Sequence, residues 1–262
     1  MCYHLNLTQA NADTAKIEFL EQIQAFEQCF PIIDYAIQQG MPKNSIAFGG
    51  GTALAMYYLG HRSSYDVDLF LSDVQYLNYF SPRLWSVNYE YFSDSDYIEQ
   101  REHIGLKAIN GIKVDIVACQ NANELLLDDT KAIFSREIFI CSLEDIIANK
   151  IVHRKLSNTT RDIFDIAVTL EKYPNLFQNL LDKEMIKTDD LLDLYNALNK
   201  LNYNQYNNEI AFVKPKNKFK NLALEAPSIL LKNLESILNR ELSNSDDTPP
   251  PPSQGQGIRH KK

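Results

Sequence analysis

The sequence predicts an α+β fold, in which a small mixed β-sheet flanked by helices is followed by an α-helical C-terminal lobe. Three observations predict it: helical spacing near the N-terminus, short strand-like runs in the middle, and helical patterns alone in the second half. These changes of pattern divide the chain into a sheet-containing core with N-terminal helices (1–140), a helical lobe (141–242) and a disordered, proline-rich tail (243–262).

The N-terminal region 13–39 is predicted to be a helical scaffold. Its apolar residues recur three or four positions apart and so share one face of a helix. Pro31 is expected to kink this helix or to begin a second one, and Gly40 suits its end.

A glycine-rich turn follows a short apolar strand at 45–48. Gly50, Gly51 and Thr52 occupy this turn, and the apolar run after them predicts a helix over 52–59. Glycines allow a backbone to approach a ligand closely, and the free N–H groups at the start of a helix attract phosphate. The turn is therefore a candidate phosphate cradle.

The run 65–71 is the strand around which the candidate chemistry is organised. Residues two apart on a strand share a face, so Asp66 and Asp68 lie side by side while Val67 and Leu69 point into a core. Two neighbouring carboxylates repel each other, and a hard divalent cation such as Mg²⁺ (or Mn²⁺) relieves that repulsion. Beside a phosphate cradle, this pair indicates metal-dependent chemistry on a nucleoside triphosphate.

The two motifs together resemble a known signature. Gly-Gly-Thr at 50–52, followed by Gly-His-Arg-x-Ser-x-Asp-x-Asp at 60–68, resembles the first motif of the AbiEii/AbiGii (MenT-like) toxins. That family belongs to the polymerase-beta-like nucleotidyltransferase superfamily, whose fold is built on a small mixed sheet. Thr52 departs from the usual serine, and Ser64 is a candidate to take over its phosphate contact. The implied nucleotide-binding residues of this motif are Gly50, Gly51, Thr52, Arg62 and Ser64.

A predicted β-hairpin follows at 103–117, with Asn110-Gly111 as its turn. A two-residue turn places Asp115 on the same face as Lys113, whereas Lys107 lies on the opposite face and is left out of the site.

The second strand of this hairpin carries a third carboxylate. The run 112–117 resembles the third-carboxylate strand of the superfamily. The resemblance implies that Asp115 completes a metal-binding triad with Asp66 and Asp68, or activates the attacking hydroxyl. The alternative is an exposed strand aspartate without such a role.

Two consecutive helices contain the last motif, which lies in the helical lobe. Ser142 suits the N-cap of the first helix, which carries Lys150, and Thr160 can cap the second, which carries Asp162 and Asp165. A lysine followed by Arg-Asp-x-x-Asp resembles the last family motif. The resemblance implies that Lys150 contacts the triphosphate and that Asp162 or Asp165 positions it or a metal. The alternatives are a surface ion pair for Lys150 and a favourable helix-dipole interaction for Asp162.

Composition and charge limit the class of protein. The chain of 262 residues has a net charge of −8, which argues against a protein that coats DNA. No apolar run approaches the ~20 residues of a membrane span, and the polar segment 1–13 lacks a secretion signal. The four cysteines form no Cys-x-x-Cys pair, which fits a reducing compartment. A cytoplasmic protein without membrane contact is therefore predicted.

Two groups of basic residues occur in the sequence despite its net negative charge. For each group a solvated face is one interpretation, and local contact with an anion is the other. The groups are Lys150, His153, Arg154, Lys155 and Arg161, and then Lys214, Lys216, Lys218 and Lys220.

The leading hypothesis is a nucleotidyltransferase toxin of a type IV toxin–antitoxin or abortive-infection system. By resemblance, it transfers a nucleoside monophosphate from a nucleoside triphosphate to an acceptor hydroxyl at the tRNA 3′ end, and its partner is an antitoxin with a DNA-binding domain. The catalytic residues would be Asp66, Asp68, Asp115, Lys150 and Asp165. The alternatives are transfer to a small molecule or a protein, and a catalytically silent nucleotide-binding module. A companion nuclease is excluded because its Arg-x-x-x-x-His motif does not occur.

Overall fold

The computed structural model describes residues 8–85, 89–93, 95–119, 124–154, 157 and 159–246. Within these residues, seven strands form one mixed sheet, and helices flank and follow it. The strands are β1 (Ile46–Gly49), β2 (Asp66–Leu71), β3 (Ile98–Gln100), β4 (His103–Lys107), β5 (Lys113–Ala118), β6 (Leu125–Asp128) and β7 (Ile138–Cys141). The predicted fold class, a mixed sheet with flanking helices and a helical C-terminal part, is confirmed.

The helices differ in length from one turn to more than seven. They are α1 (Gln9–Glu18), α2 (Leu20–Gln28), α3 (Phe30–Gln38), α4 (Gly50–Ala53, continued by a π-helical segment at Leu54–Leu59), α5 (Leu143–Arg154), α6 (Thr160–Lys172), α7 (Leu176–Asp182), α8 (Thr188–Asn199), α9 (Tyr203–Val213) and α10 (Lys220–Asp246). Short 3₁₀ segments lie at Lys43–Ser45, Val74–Phe80, Pro82–Leu84 and Asn217–Phe219.

The N-terminal scaffold consists of three short helices. Pro31 lies in the first turn of α3, where its missing N–H costs no helical hydrogen bond. The expectation that a second helix begins there is confirmed, and α3 ends just before Gly40, whose φ is +104°.

The strand order β3-β4-β5-β2-β1-β7-β6 places β2 and β5 at the centre of the sheet. β2 is parallel to β5, β1 is parallel to β7, and the remaining pairs are antiparallel. Val67, Leu69 and Leu71 of β2 are fully buried, which confirms the predicted alternation along this strand. The central position and the buried side chains fix the strand that carries Asp66 and Asp68.

The hairpin between β4 and β5 differs from the predicted one by one residue. The Ala108 N–H donates to the Ile112 carbonyl, so the loop holds three residues, and Gly111 adopts a φ of +84°. A left-handed glycine at this place is typical of a three-residue hairpin loop.

The longer loop inverts the predicted placement of Lys107. Lys107 pairs with Lys113, and Gly105 pairs with Asp115, so the prediction that Lys107 lies on the opposite face from Asp115 is wrong. The side chain of Lys107 is half exposed and its Nζ lies 3.0 Å from Asp96 Oδ2. Lys113 does share a face with Asp115, as expected.

The C-terminal helices pack mainly through α10, which contacts α6 and α8. α10 continues to Asp246, four residues beyond the predicted end of the helical lobe at 242. Residues 247–262 of that predicted tail lie outside the described residues, as does Lys155 of the first basic group. In the described part of the chain, none of the helices has the length and apolarity that crossing a bilayer requires.

Candidate active site

Three carboxylates share one face of the central strands, and we call Asp66, Asp68 and Asp115 the carboxylate face. Asp66 and Asp68 are two apart on β2 and are partly exposed. β5 runs parallel to β2 with Asp115 directly beside Asp68. Paired residues of a sheet point to the same side, so the sheet brings the three predicted carboxylates together.

The carboxylate face concentrates negative charge. Burial raises the pKa of Asp68 to about 7, and the charges of Asp66 and Asp115 act in the same direction, while Lys150 and Arg154 partly offset them. When neighbouring charges disfavour the ionised form of a carboxyl group, a cation that binds beside it stabilises that form strongly.

Two basic side chains on neighbouring positions hold Asp115. His103 Nε2 lies 2.5 Å and Lys113 Nζ 2.8 Å from the same oxygen, Asp115 Oδ1. His103 reaches it across Gly105, where a Cβ would lie 3.3 Å from Asp115 Oδ1 and 3.5 Å from the imidazole. Sequence reasoning did not find His103, because its position opposite Val117 depends on the three-residue loop.

The glycine turn lies directly against these groups. Gly50 has a φ of +65°, and a Cβ there would lie 1.9 Å from Asp68 Oδ2. A Cβ on Gly51 would lie 2.4 Å from Arg62 Nη2. Only glycine permits this approach, so the sequence of the turn is set by its contact with Asp68 and Arg62.

Thr52 and Ser64 fasten the turn to the start of β2. Thr52 is fully buried, and its Oγ1 lies 2.6 Å from the carbonyl oxygen of Asp66 and 2.7 Å from Ser64 Oγ. Both hydroxyls lie 3.4 Å from Asp66 Oδ1. These contacts position Asp66, and the phosphate contact predicted for the two hydroxyls stays a prediction.

Beneath this turn is a second group of charges, the buried ion-pair cluster, which comprises His61, Arg62, Lys150, Asp162 and Asp165. Arg62 binds Asp165 through two hydrogen bonds, Nε to Oδ1 at 2.6 Å and Nη2 to Oδ2 at 2.8 Å. His61 Nε2 lies 2.7 Å from Asp165 Oδ1. Lys150 Nζ lies 3.0 Å from Asp165 Oδ2 and 2.6 Å from Asp162 Oδ1.

Opposite charges match inside this cluster. Burial acts to raise the pKa of Asp165, but Arg62 and Lys150 outweigh it and hold that pKa well below its ordinary value. Burial likewise acts to lower the pKa of Lys150, and Asp165 and Asp162 raise it above the ordinary value. Asp165 and Lys150 therefore stabilise each other in their charged forms.

The cluster refines the predictions for its members. The alternative of a surface ion pair for Lys150 is wrong, because Lys150 is mostly buried and pairs with Asp162 and Asp165. The N-cap of α6 is Thr159 rather than Thr160, and Asp162 completes its capping box. Asp165 is fully buried and already has three basic partners, an arrangement that suits a positioning role. The direct substrate roles predicted for Arg62, Asp162 and Asp165 stay predictions.

A cavity of about 690 Å³ connects the two groups of charges. Its volume lies in the range of small-molecule sites. Gly50, Gly51 and Asp68 contribute to its lining together with basic residues. The basic residues that line it are Arg101, Lys150, His153 and Arg154. Acidic and basic groups around one cavity suit a metal-bound triphosphate, whose phosphates are negative and whose metal is positive.

The oxygen donors of the carboxylate face fit a hard cation. In the described residues no group of three or more His, Cys, Asp and Glu side chains is arranged to hold a metal ion. Asp115 is engaged by His103 and Lys113, and the metal-binding role implied for it stays a prediction. Mg²⁺ sites for nucleotides ordinarily use one or two carboxylates, with substrate phosphates and water as the other ligands. Asp66 and Asp68 supply such a pair.

Comparisons with known proteins identify the family of the chain. The model of the AbiEii family, described as a nucleotidyl transferase toxin of a type IV toxin–antitoxin system, matches residues 35–240. None of the curated proteins compared matches the chain. The solved structure of JHP933 from Helicobacter pylori has a TM-score of 0.47 and 15% identity, over 86% of this chain and 96% of that one. The nucleotidyltransferase toxin MenT4 from Mycobacterium tuberculosis H37Rv has a TM-score of 0.39 and 15% identity, over 86% of this chain and 99% of that one.

The family match covers most of the chain, from α3 to the C-terminal part of α10, and contains both the carboxylate face and the buried ion-pair cluster. The chain therefore belongs to the AbiEii family of nucleotidyltransferase toxins of type IV toxin–antitoxin systems.

Proposed function

We propose that this nucleotidyltransferase uses Mg²⁺ to transfer a nucleoside monophosphate from a nucleoside triphosphate to the 3′-terminal hydroxyl of tRNA, with release of pyrophosphate. The observation that carries the proposal is the carboxylate face beside the glycine turn, on a cavity lined with basic residues. We further propose that the protein acts in the cytoplasm and that an antitoxin with a DNA-binding domain is its cognate partner.

The reaction forms one bond and breaks another. The acceptor oxygen attacks the α-phosphorus, the bond from that phosphorus to the bridging oxygen breaks, and pyrophosphate leaves with the electron pair. The hydroxyl proton passes to Asp115. We assign it to Oδ2, because His103 and Lys113 both bind Oδ1 and so orient the carboxylate.

Asp66 and Asp68 would hold the metal, which when bound polarises the phosphate oxygens and neutralises their charge. The backbone of Gly50 and Gly51 lines the cavity closely enough to contact phosphates. Lys150 lines the same cavity with 13% of its side chain exposed, so its ammonium can face the leaving pyrophosphate while Asp162 and Asp165 fix its position.

The test is transfer of radioactive label. The purified chain is incubated with Mg²⁺, total cellular RNA and each α-³²P-labelled nucleoside triphosphate in turn. We expect label in the tRNA band with one or two of the nucleotides. Asp66→Ala and Asp68→Ala should abolish it, and Asp34→Ala, which removes a half-exposed carboxylate on α3, should not.

Other outcomes would reject specific parts of the proposal. Unlabelled RNA with all four nucleotides, together with label on an added aminoglycoside or protein, would replace the acceptor and keep the chemistry. Absence of pyrophosphate release with every acceptor would reject transfer in favour of a silent nucleotide-binding module.

A further inference from the structure

The second basic group of the sequence lies next to the active site. It occupies the connection between α9 and α10, where the Lys216 N–H donates to the His61 carbonyl at 2.9 Å. Pro215 forms a bridge with Arg62 in the same place. These backbone contacts fix the connection against the segment that leads into β2, and Lys214 at its start lies over the ring of Tyr65.

A hollow of about 240 Å³ opens beside this connection. Two aromatic residues line it and remain exposed to solvent, Phe212 at 79% and Tyr65 at 46%. Tyr65 directly precedes Asp66, and Arg161 on the same hollow has its Nη1 3.9 Å from Asp66 Oδ2. The hollow thus lies beside Asp66 of the carboxylate face.

Cations accompany the two exposed rings. Lys214 Nζ lies 5.1 Å from the centre of the Tyr65 ring, and the side chain of Arg161 is 48% exposed. Exposed aromatic rings beside flexible cations are the combination with which proteins bind single-stranded nucleic acid, because bases stack on the rings and phosphates pair with the cations. A duplex end offers no unstacked base to such rings.

We propose that Tyr65, Arg161, Phe212 and Lys214 form a docking platform for the single-stranded 3′ end of an RNA acceptor. A base stacks on Phe212, Arg161 and Lys214 bind phosphates, and the terminal hydroxyl continues towards Asp66. This inference rests on the proposed function and names the surface that presents its acceptor.

Glu209 contributes selectivity on the same hollow. Its carboxylate accepts hydrogen bonds from Thr160 Oγ1 at 2.5 Å and Gln205 Nε2 at 2.7 Å, which fix its position. A fixed carboxylate repels phosphate and accepts hydrogen bonds from base amino groups. It therefore favours a strand that turns its bases, rather than its backbone, towards Glu209.

The test measures RNA binding separately from transfer. A fluorescein-labelled single strand of about 12 nucleotides with a free 3′ hydroxyl is titrated with the full chain, and anisotropy gives its Kd. Phe212→Ala should weaken binding about 5- to 150-fold, the range for loss of one stacked base, and Phe212→Tyr should restore it. Lys214→Gln should lower the slope of log K against log salt by about 1.

Controls separate this surface from general effects. Tyr203→Ala removes another exposed aromatic residue at the opposite end of α9, about 13 Å along the helix, and should leave the Kd unchanged. The Kd of the nucleoside triphosphate should be unchanged in Phe212→Ala, because Phe212 lines the hollow and is not among the residues that line the cavity with Gly50 and Asp68. A blunt duplex of the same sequence should compete poorly.

The outcomes distinguish the platform from the proposed function. A wild-type chain that labels tRNA, with an unchanged RNA Kd in Phe212→Ala, would overturn the platform alone. A chain that transfers nothing to RNA but binds the single strand through Phe212 would overturn tRNA transfer and support the platform. Failure of the wild-type chain to bind the strand would reject the platform, whatever acceptor is labelled.

Discussion

The carboxylate face and the buried ion-pair cluster lie side by side but differ in charge balance: the first contains like charges, and the second contains opposite charges. On the carboxylate face, burial raises the pKa of Asp68, and the like charges of Asp66 and Asp115 raise it further. In the cluster, Asp165 meets Arg62 and Lys150, and opposite charges lower its pKa. Asp68 lines a cavity, whereas Asp165 is fully buried.

This difference indicates what each group does. Excess negative charge beside a cavity is stabilised only when a cation binds, so the carboxylate face is organised for a ligand. Buried charges of opposite sign stabilise each other without a ligand, and they hold the segments that carry them in place. Lys150 belongs to this cluster and, with 13% of its side chain exposed, also lines the cavity. The cluster joins the start of β2 to α5 and α6, which carry the rest of the site.

The largest expected effect is loss of catalysis on the carboxylate face. Asp68→Asn keeps the shape of the side chain and removes the charge, so nucleotidyl transfer should fall about 10⁴-fold. The free energy of unfolding of this variant should equal or exceed that of the wild-type chain, because Asp66 and Asp115 no longer repel a charge at position 68. Single-turnover assays and urea denaturation measure the two quantities. A variant that lost both activity and stability would contradict the comparison.

Removal of a charge from the cluster should act on stability instead. Asp165→Ala leaves Arg62 and Lys150 buried without their shared partner, which should lower the free energy of unfolding by about 3–5 kcal/mol. Urea denaturation measures it. Arg83→Gln, which removes an exposed ion pair with Glu99, is the control and should cost less than about 1 kcal/mol.

A double replacement sharpens this prediction. Arg62→Met with Asp165→Leu removes both charges, and Lys150 keeps Asp162 at 2.6 Å. Much of the lost stability should return, because no unpaired buried charge remains. A double variant as unstable as Asp165→Ala would show that shape, and not charge matching, governs the cluster.

The glycine turn connects the carboxylate face to the buried ion-pair cluster. A methyl group in this turn should disturb the carboxylate face. Gly50→Ala places a Cβ against Asp68 Oδ2 at a φ of +65°, and we expect about 10²-fold lower activity. Gly111→Ala has a similar φ of +84° with no atom within 4 Å, so it should cost only about 1 kcal/mol of stability and no activity. Equal activity of the two variants would contradict the proposed contact.

The smallest expected effect is on pH dependence. The pKa of Asp68 is raised from 3.8 to about 7, so between these values the folded chain keeps a proton that the unfolded chain releases. Stability contributed by this proton is present at low pH and is lost as pH rises towards about 7. Because Mg²⁺ binds the ionised form, it should raise the Tm by about 2–4 °C at pH of about 8 and by less at about 5.

Thermal unfolding with EDTA or Mg²⁺ at the two pH values checks this prediction. Asp68→Asn is the matched variant and should lose most of the Mg²⁺ effect at both values. An equal rise of Tm at both pH values in the wild-type chain would place cation binding elsewhere.

Local chemistry made part of this protein predictable. The period of two along β2 placed Asp66 and Asp68 on one face, and the glycine turn marked a close backbone approach. That this approach is to Asp68 came from the structure. The break at Pro31 and the helix end at the left-handed Gly40 were also predictable, since each depends on the backbone freedom of one residue.

The hairpin between β4 and β5 shows which features local sequence signals do not predict. Asn110-Gly111 predicted a turn at the correct place, but the loop length decided which face Lys107 and His103 occupy. One additional loop residue shifts every later pair by one, because strand side chains alternate with a period of two. The proximity of His103 to Asp115 thus required the register.

By itself, the sequence determined the strand of carboxylates, the glycine turn and the helices that carry the last motif, because these depend on neighbours within a few residues. Only the tertiary structure decided that Asp165 binds Arg62, 103 residues earlier, and that the Lys214 connection lies beside Tyr65. Such pairings depend on how distant segments pack, and no local periodicity specifies the partner of a buried charge.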